Sequence, residues 1–261
     1  MEIIGYIALI GIGMVLSLIG GGGSLLSVPI LVYIFGLDVV TASSYSLFIV
    51  GTTSLLGAWL KQQQHRIDIR SGIIFTIFSV TAIFTTRRWI VPSIPNEVYI
   101  YDGIPLTKRV LILGVFALLA IASSLTILLK RNPNSEQREK SRLTLLVPVG
   151  FSTGLLVGFV GAGGGFLILP ALSFFARLPF KIALGTTLLV IGTNSLLGFV
   201  GDVLNYEMNW SFLLLIAGLA ITGMLIGDSY SKRLPVQRLR DSFGWIILTM
   251  ALGILVTEFV L

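Results

Sequence analysis

Eight apolar stretches organise this chain, and two of them differ from the rest. Six have spanning length, about 20 residues each. They lie near 41–60, 71–91, 108–129, 182–201, 210–230 and 242–261. They are uniformly apolar rather than alternating, so they predict helices and not the strands of a membrane β-barrel. The other two, 3–36 and 143–176, are longer than one crossing needs and short for two. Each is interrupted by a glycine run and followed by Pro29 or Pro170. Consecutive glycines make helix costly, by about 1 kcal/mol each relative to alanine. These stretches predict helical hairpins that turn at the glycines. Irregular backbone at such depth is tolerated only where protein buries it or where it lines a cavity.

The polar interruptions repeat. Ile19-Gly20-Gly21-Gly22-Gly23-Ser24-Leu25-Leu26-Ser27-Val28-Pro29 returns 141 residues later as Val160-Gly161-Ala162-Gly163-Gly164-Gly165-Phe166-Leu167-Ile168-Leu169-Pro170. At the same offset, Gly51-Thr52-Thr53-Ser54-Leu55-Leu56-Gly57 falls on Gly192-Thr193-Asn194-Ser195-Leu196-Leu197-Gly198. Glycine-broken apolar segments in matching places of two halves point to a transporter's binding site. The expected organisation is a first repeat over 1–129, a linker over 130–142 and a second repeat over 143–261. Segment 92–107, rich in proline, is expected to be an external loop.

Composition agrees with a membrane assignment. Hydrophobic residues make up 55% of the 261 and charged residues only 11%, with a mean hydropathy of +0.96. Soluble domains carry roughly 25% charged residues. Without cysteine there is no disulfide, thiol chemistry or cysteine-ligated metal. Met1-Glu2 lacks the basic start of a cleaved signal peptide. The net charge of +6 is no sign of nucleic acid, because the basic residues sit between apolar runs.

Those loop charges set orientation. Lys61, Arg66 and Arg70 crowd one connection, and Lys130, Arg131, Arg138, Lys140 and Arg142 crowd the linker. Arg177 and Lys181 follow the second hairpin, and Lys232, Arg233, Arg238 and Arg240 fill a later loop. The other connections are acidic or neutral, with Asp38, Asp202 and Glu207 among them. With the basic loops in the cytoplasm, each hairpin enters and leaves on one side, the first outside and the second inside. Span 41–60 then runs inward and its mate 182–201 outward, so the repeats are inverted. The fold class expected is an all-α membrane protein: a polytopic bundle of two inverted repeats, each a hairpin plus three spans. It would be a multi-pass protein of the inner (plasma) membrane. Trp59, Trp89, Trp210 and Trp245 fall near segment ends, as an interfacial belt requires.

Enzyme chemistry has little to work with. His65 is the sole histidine and sits in a basic loop, so no His or Cys cluster suggests a metal, and no cofactor is implied. The first glycine run lacks the Gly-Lys-Ser/Thr of a P-loop, and the second fails the dinucleotide pattern. What remains is backbone amides and hydroxyls. Gly22, Gly23 and Ser24, with Gly163, Gly164 and Gly165, are candidate helix starts. Such starts offer unpaired N–H groups and a positive dipole end to an anionic oxygen. Thr52, Thr53, Thr193, Asn194 and Ser195 lie mid-span and could complete an anion shell or bond within their helices. Ser43-Ser44 and Thr186-Thr187 are weaker candidates of the same kind. Arg87 and Arg88, near an outer segment end, run against the positive-inside trend and are expected either to line a vestibule and steer anions or to shorten that span. Asp228 is a candidate for proton coupling, or for a salt bridge to Arg233.

At the two glycine motifs and the two small-polar segments the chain resembles the sulfite exporter family named after TauE and SafE, also called the four-toluene-sulfonate uptake permease family. The two-half layout carries the resemblance across essentially the whole chain. It implies a transporter of sulfite, sulfonates or related anions with the glycine motifs near the substrate. The expected function is secondary transport, as a probable exporter, by alternating access around a midplane site. A passive anion channel on the same scaffold, or a membrane subunit of a larger assembly, is the alternative. The expected partners are a small anion, the bilayer and a possible second copy of the chain.

Overall fold

The structure is a computed structural model describing residues 2–19, 23–95, 97–101, 104–129, 143–161, 163–231 and 236–259. Gly22 and the linker 130–142 lie outside the described residues. The chain opens with α1 (Glu2–Ile19) and α2 (Ser24–Pro29), and α2 runs on into a π turn over Ile30–Ile34. Then come α3 (Val39–Gln62), α4 (Ile69–Thr85), a second π turn over Thr86–Ile90, and a short α5 (Val91–Ser93). Strands β1 (Glu97–Tyr101) and β2 (Ile104–Thr107) lead to α6 (Lys108–Leu129). A 3-10 turn over Leu143–Leu145 opens the second half, followed by α7 (Leu146–Val160), α8 (Gly165–Phe175), α9 (Phe180–Val203), α10 (Trp210–Ser231) and α11 (Val236–Phe259). The protein is an all-α polytopic membrane fold, with one small sheet.

Among the described residues, five helices are long and apolar enough to cross a bilayer: Val39–Gln62, Ile69–Ser93, Lys108–Leu125, Lys181–Val203 and Trp210–Tyr230. Ile3–Leu18, Ser24–Ile34, Leu146–Val160, Gly165–Phe175 and Gly244–Glu258 are shorter apolar helices. One expectation fails. Segment 92–107 is not simply a loop, because β1 and β2 pair antiparallel with Glu97 opposite Thr107 and Tyr101 opposite Ile104. The alternating Val98-Tyr99-Ile100-Tyr101, Asp102-Gly103 and the apolar Ile104 are a hairpin signature that the prolines obscured.

Helix boundaries obey the 141-residue offset. Shifted by it, Val39–Gln62 becomes Phe180–Val203, and Ile69–Ile90 becomes Trp210–Ser231. Side-chain contacts obey it too. A Cβ on Gly13 of α1 would meet the Ala220 carbonyl of α10, and one on Gly154 of α7 would meet the Ser79 carbonyl of α4. Likewise the Asn209 amide donates to Tyr45 Oη at 2.8 Å, and the Asp68 amide donates to Thr186 Oγ1 at 2.9 Å. Each pair is the other, shifted by 141.

At the centre α3 and α9 cross antiparallel. Gly51 packs on Leu196 while Gly192 packs on Leu55, and a Cβ at either would fall within 3 Å of that leucine. Lipid offers no hydrophobic drive between helices, so close backbone approach through small residues holds them together. The outward faces carry the large apolar side chains. Ile69, Ile73 and Ile77 form one exposed stripe on α4, and all four tryptophans are exposed.

Candidate functional site

The second glycine run is a break of defined shape. Gly161 caps α7 in the left-handed conformation at φ 74°, its N–H donating to the Val157 carbonyl at 2.8 Å. Gly163 and Gly164 are also left-handed, at φ 68° and 71°, a region that side chains disfavour. Helix α8 then starts at Gly165 with no side-chain cap. Its first N–H groups have no partner within the helix. The first break ends differently: Gly23 has right-handed backbone at φ −61°, packs against the Ile12 carbonyl and Leu16, and starts α2. Ser24 is buried in the first turn of α2, and its carbonyl accepts the Ser27 hydroxyl.

Gly163 brings this break to the central helix pair. A Cβ there would stand 3.2 Å from Ser195 Oγ and 2.5 Å from Val50 Cγ1. Ser195 therefore borders the turn. Its hydroxyl is buried without a partner, as are those of Thr53 and Ser54. Buried polar groups are ordinarily paired, so these three hydroxyls on α3 and α9 stand apart from the other buried hydroxyls of the two helices that bond to backbone carbonyls. Thr52 and Thr193 differ. Thr52 Oγ1 donates back to the Phe48 carbonyl at 2.8 Å, and Thr193 Oγ1 to that of Leu189 at 3.0 Å. Asn194 is committed to α4, where its amide donates to Ser79 Oγ at 2.8 Å.

Arg87 does not line an exposed vestibule. It is fully buried, in the π turn that ends α4. Its Nη1 donates to Asp202 Oδ2 at 3.1 Å and to Ser43 Oγ at 2.8 Å. Ser44 Oγ donates to the same Asp202 oxygen at 2.7 Å. A buried charge persists where it is paired and hydrogen-bonded, and Asp202 supplies that pairing from the end of α9. Arg88 is half-buried instead, donating to the Leu204 carbonyl at 3.2 Å and to the Asn205 side chain. Asp228 pairs with Lys61 at 2.7 Å; Arg233, the partner the sequence suggests, lies outside the described residues.

Sequence reasoning therefore missed Asp202 and Lys61, treating both as loop charges. The offset held a signal for them. It places Lys61 on Asp202 and Arg87 on Asp228, so two charges of each sign exchange between the halves. His65 lies exposed, and no group of three or more His, Asp or Glu gathers among the described residues.

Comparison with known proteins agrees with this architecture. The profile of the family described as "Sulfite exporter TauE/SafE" matches residues 6–254. A "Probable membrane transporter protein" of Xylella fastidiosa (strain 9a5c) is 30% identical, over 94% of this chain and 91% of its own. Another so described, from Xylella fastidiosa (strain Temecula1), is 29% identical over the same shares. The "Probable membrane transporter protein YdhB" of Bacillus subtilis is 26% identical over 93% of this chain and 94% of its own. No solved structure matches. With nearly the whole length matched, the chain belongs to the sulfite exporter TauE/SafE family, a family of membrane transporters.

Proposed function

We propose that this protein is a secondary transporter, in the export direction, of a small sulfur-containing anion such as sulfite or an organosulfonate. It would sit in the plasma membrane and move its substrate by alternating access between two inverted repeats. The observation that carries this reading is Gly163 against Ser195, whose buried hydroxyl has no hydrogen-bond partner, as those of Thr53 and Ser54 on α3 have none. Backbone N–H groups at the start of α8 add donors and a positive dipole end. The antiparallel crossing of α3 and α9 supports the inverted arrangement, because each contact recurs when the halves are exchanged. In such folds the substrate sits near the midplane at the repeat interface.

Flux through proteoliposomes tests the reading. Radiolabelled sulfite or methanesulfonate should accumulate against its own gradient when an ion gradient is imposed. Equilibration without accumulation would instead indicate a passive channel. Gly163→Val places a side chain against Val50 and Ser195 Oγ and should abolish flux while membrane insertion survives. Near-normal flux in that variant removes the glycine break from the substrate path.

A further inference from the structure

Among the described residues Arg87 is the largest fully buried side chain, and two of its guanidinium nitrogens have no hydrogen-bond partner. Nη1 is occupied by Asp202 and Ser43. Nε and Nη2 have no hydrogen-bond partner, and neither does Asp202 Oδ1. Nε and Nη2 are the edge of the guanidinium whose N–H bonds run parallel. That edge fits two oxygens of one oxyanion, a bidentate contact that is both geometrically specific and stronger than neutral hydrogen bonds. Orphan donors on a buried cation are costly. Arg87 stays in place because Ser43 and Asp202, the latter held by the Ser44 hydroxyl, bind its other side from α3 and α9.

Protein encloses this edge, since Arg87 is fully buried. Gly161 packs against Nη2, and a Cβ there would lie 1.8 Å from that nitrogen, so a side chain at this position would displace the guanidinium. The π turn over Thr86–Ile90 carries Arg87, and π turns inside α-helices concentrate at functional sites. A cavity of about 350 Å³ opens nearby, lined by Asp38, Val40, Lys108 and Arg109 among others. It lies one turn of α3 away, since the Val40 carbonyl accepts the hydroxyls of both Ser43 and Ser44. Lys108 on its wall is within electrostatic reach of Arg87.

We propose that the free Nε/Nη2 edge of Arg87 is an oxyanion-binding station, beside Gly161, for which Asp202 is the resident counter-anion while the station is empty. It is distinct from the mid-membrane layer. Ser43 beside Arg87 and Val50 beside Gly163 are seven residues apart on one helix, about 10 Å along its axis. The proposal rests on the anion-transport reading and adds to it a charged recognition group. Asp202 competes for the same cation, so an arriving oxyanion takes over part of the guanidinium's charge.

Binding to the purified full chain in detergent tests this, by calorimetry with methanesulfonate, sulfite, acetate and phosphate, and dimethyl sulfone as the neutral control. Arg87→Lys keeps the charge and removes the parallel edge, so affinity for the bound oxyanion should fall roughly ten- to hundredfold. Asp202→Asn removes the competitor, so affinity should rise. A merely structural pair would lose binding in both variants. That joint loss, or unchanged affinity in Arg87→Lys, overturns the station while leaving the sulfur-anion reading intact. Arg87-dependent binding of acetate or phosphate without sulfite or methanesulfonate keeps the station and removes that substrate class. If wild type binds none of the oxyanions, both fall. Should Arg87→Lys not fold, the direction of change in Asp202→Asn still decides the matter.

Discussion

The Arg87–Asp202 and Lys61–Asp228 pairs occupy equivalent places in the two halves and are built for different work. Shifted by the offset, Lys61 falls on Asp202 and Asp228 falls back on Arg87, so each pair is the other with its charges exchanged. Both join a helix of one half to a helix of the other, α3 to α10 and α9 to the end of α4. Their surroundings differ. The Arg87 pair is sealed at 0% exposure on both sides, whereas Lys61 and Asp228 keep 7% and 19%. Arginine brings a planar edge that recognises oxyanions, and lysine brings a compact point charge. The same repeat position thus carries a recognition group at one end of the bundle and a simpler brace at the other.

Removing one acid from each pair gives the largest separation. Asp202→Ala strands a buried guanidinium and should destabilise the protein by about 3–5 kcal/mol. Asp228→Ala unpairs Lys61 at a less sealed site and should cost less, about 1–3 kcal/mol. Chemical unfolding in detergent measures both. Equal losses would mean that the two ends are energetically alike, and the contrast in burial would carry no consequence.

Exchanging charges within each pair sharpens the comparison. Lys61→Asp with Asp228→Lys restores a point-charge pair, so flux should stay within about threefold of wild type if only attraction matters. Arg87→Asp with Asp202→Arg moves the planar edge to α9 and away from Gly161. Flux should fall by at least about tenfold, the loss of one charge-assisted contact. Rescue of flux by the second swap would show that Arg87 acts through charge alone.

The central layer repeats the contrast on a smaller scale, because Thr53 and Asn194 are also repeat mates. Asn194→Leu leaves Ser79 Oγ without its amide partner and should cost about 1–3 kcal/mol of stability. Thr53→Val removes a hydroxyl that has no partner to lose, so stability should hold. Substrate affinity should still weaken by about 0.5–1.5 kcal/mol if that hydroxyl completes the anion shell. Calorimetry beside unfolding separates the two effects. Loss of stability without loss of affinity in Thr53→Val would make the layer a packing feature.

Much of this was legible in the chain because apolar length and glycine punctuation are local signals. Segment 108–129 coincides with α6, and 182–201 lies within Phe180–Val203. The break between α7 and α8 was marked by consecutive glycines, and the left-handed Gly161, Gly163 and Gly164 show why other residues would not serve. Burial of Arg87 was not legible in the same way. Positive-inside reasoning places charges by loop, and Arg87 at an outer segment end runs against it, which in the sequence reads as a vestibule residue or a shortened span. What buries the side chain is Asp202, distant in sequence, and Gly161, whose missing side chain leaves room for the guanidinium. Such a partnership appears only when the two halves are overlaid and the charges at equivalent positions are compared.

Arg88 supplies the mildest test, since it neighbours Arg87 in sequence but not in environment. It is half-buried, and its Nη1 reaches the Leu204 carbonyl and the Asn205 side chain at the loop after α9. Asn205 in turn donates to the carbonyls of Gly201 and Arg88, at 3.2 and 3.3 Å, and so ties that loop to the π turn. A charge placed there acts on an approaching anion through solvent, where salt screens it beyond about 8 Å at physiological ionic strength. Arg88→Gln should therefore slow the capture rate at low ionic strength, by about threefold or less, and leave it unchanged at high ionic strength. Equilibrium affinity should stay at the wild-type value throughout. The Arg87→Lys loss, arising inside the protein where salt does not reach, should persist at every ionic strength. If the two variants instead show the same salt dependence, burial does not distinguish the two arginines, and recognition at this end of the bundle is a surface effect.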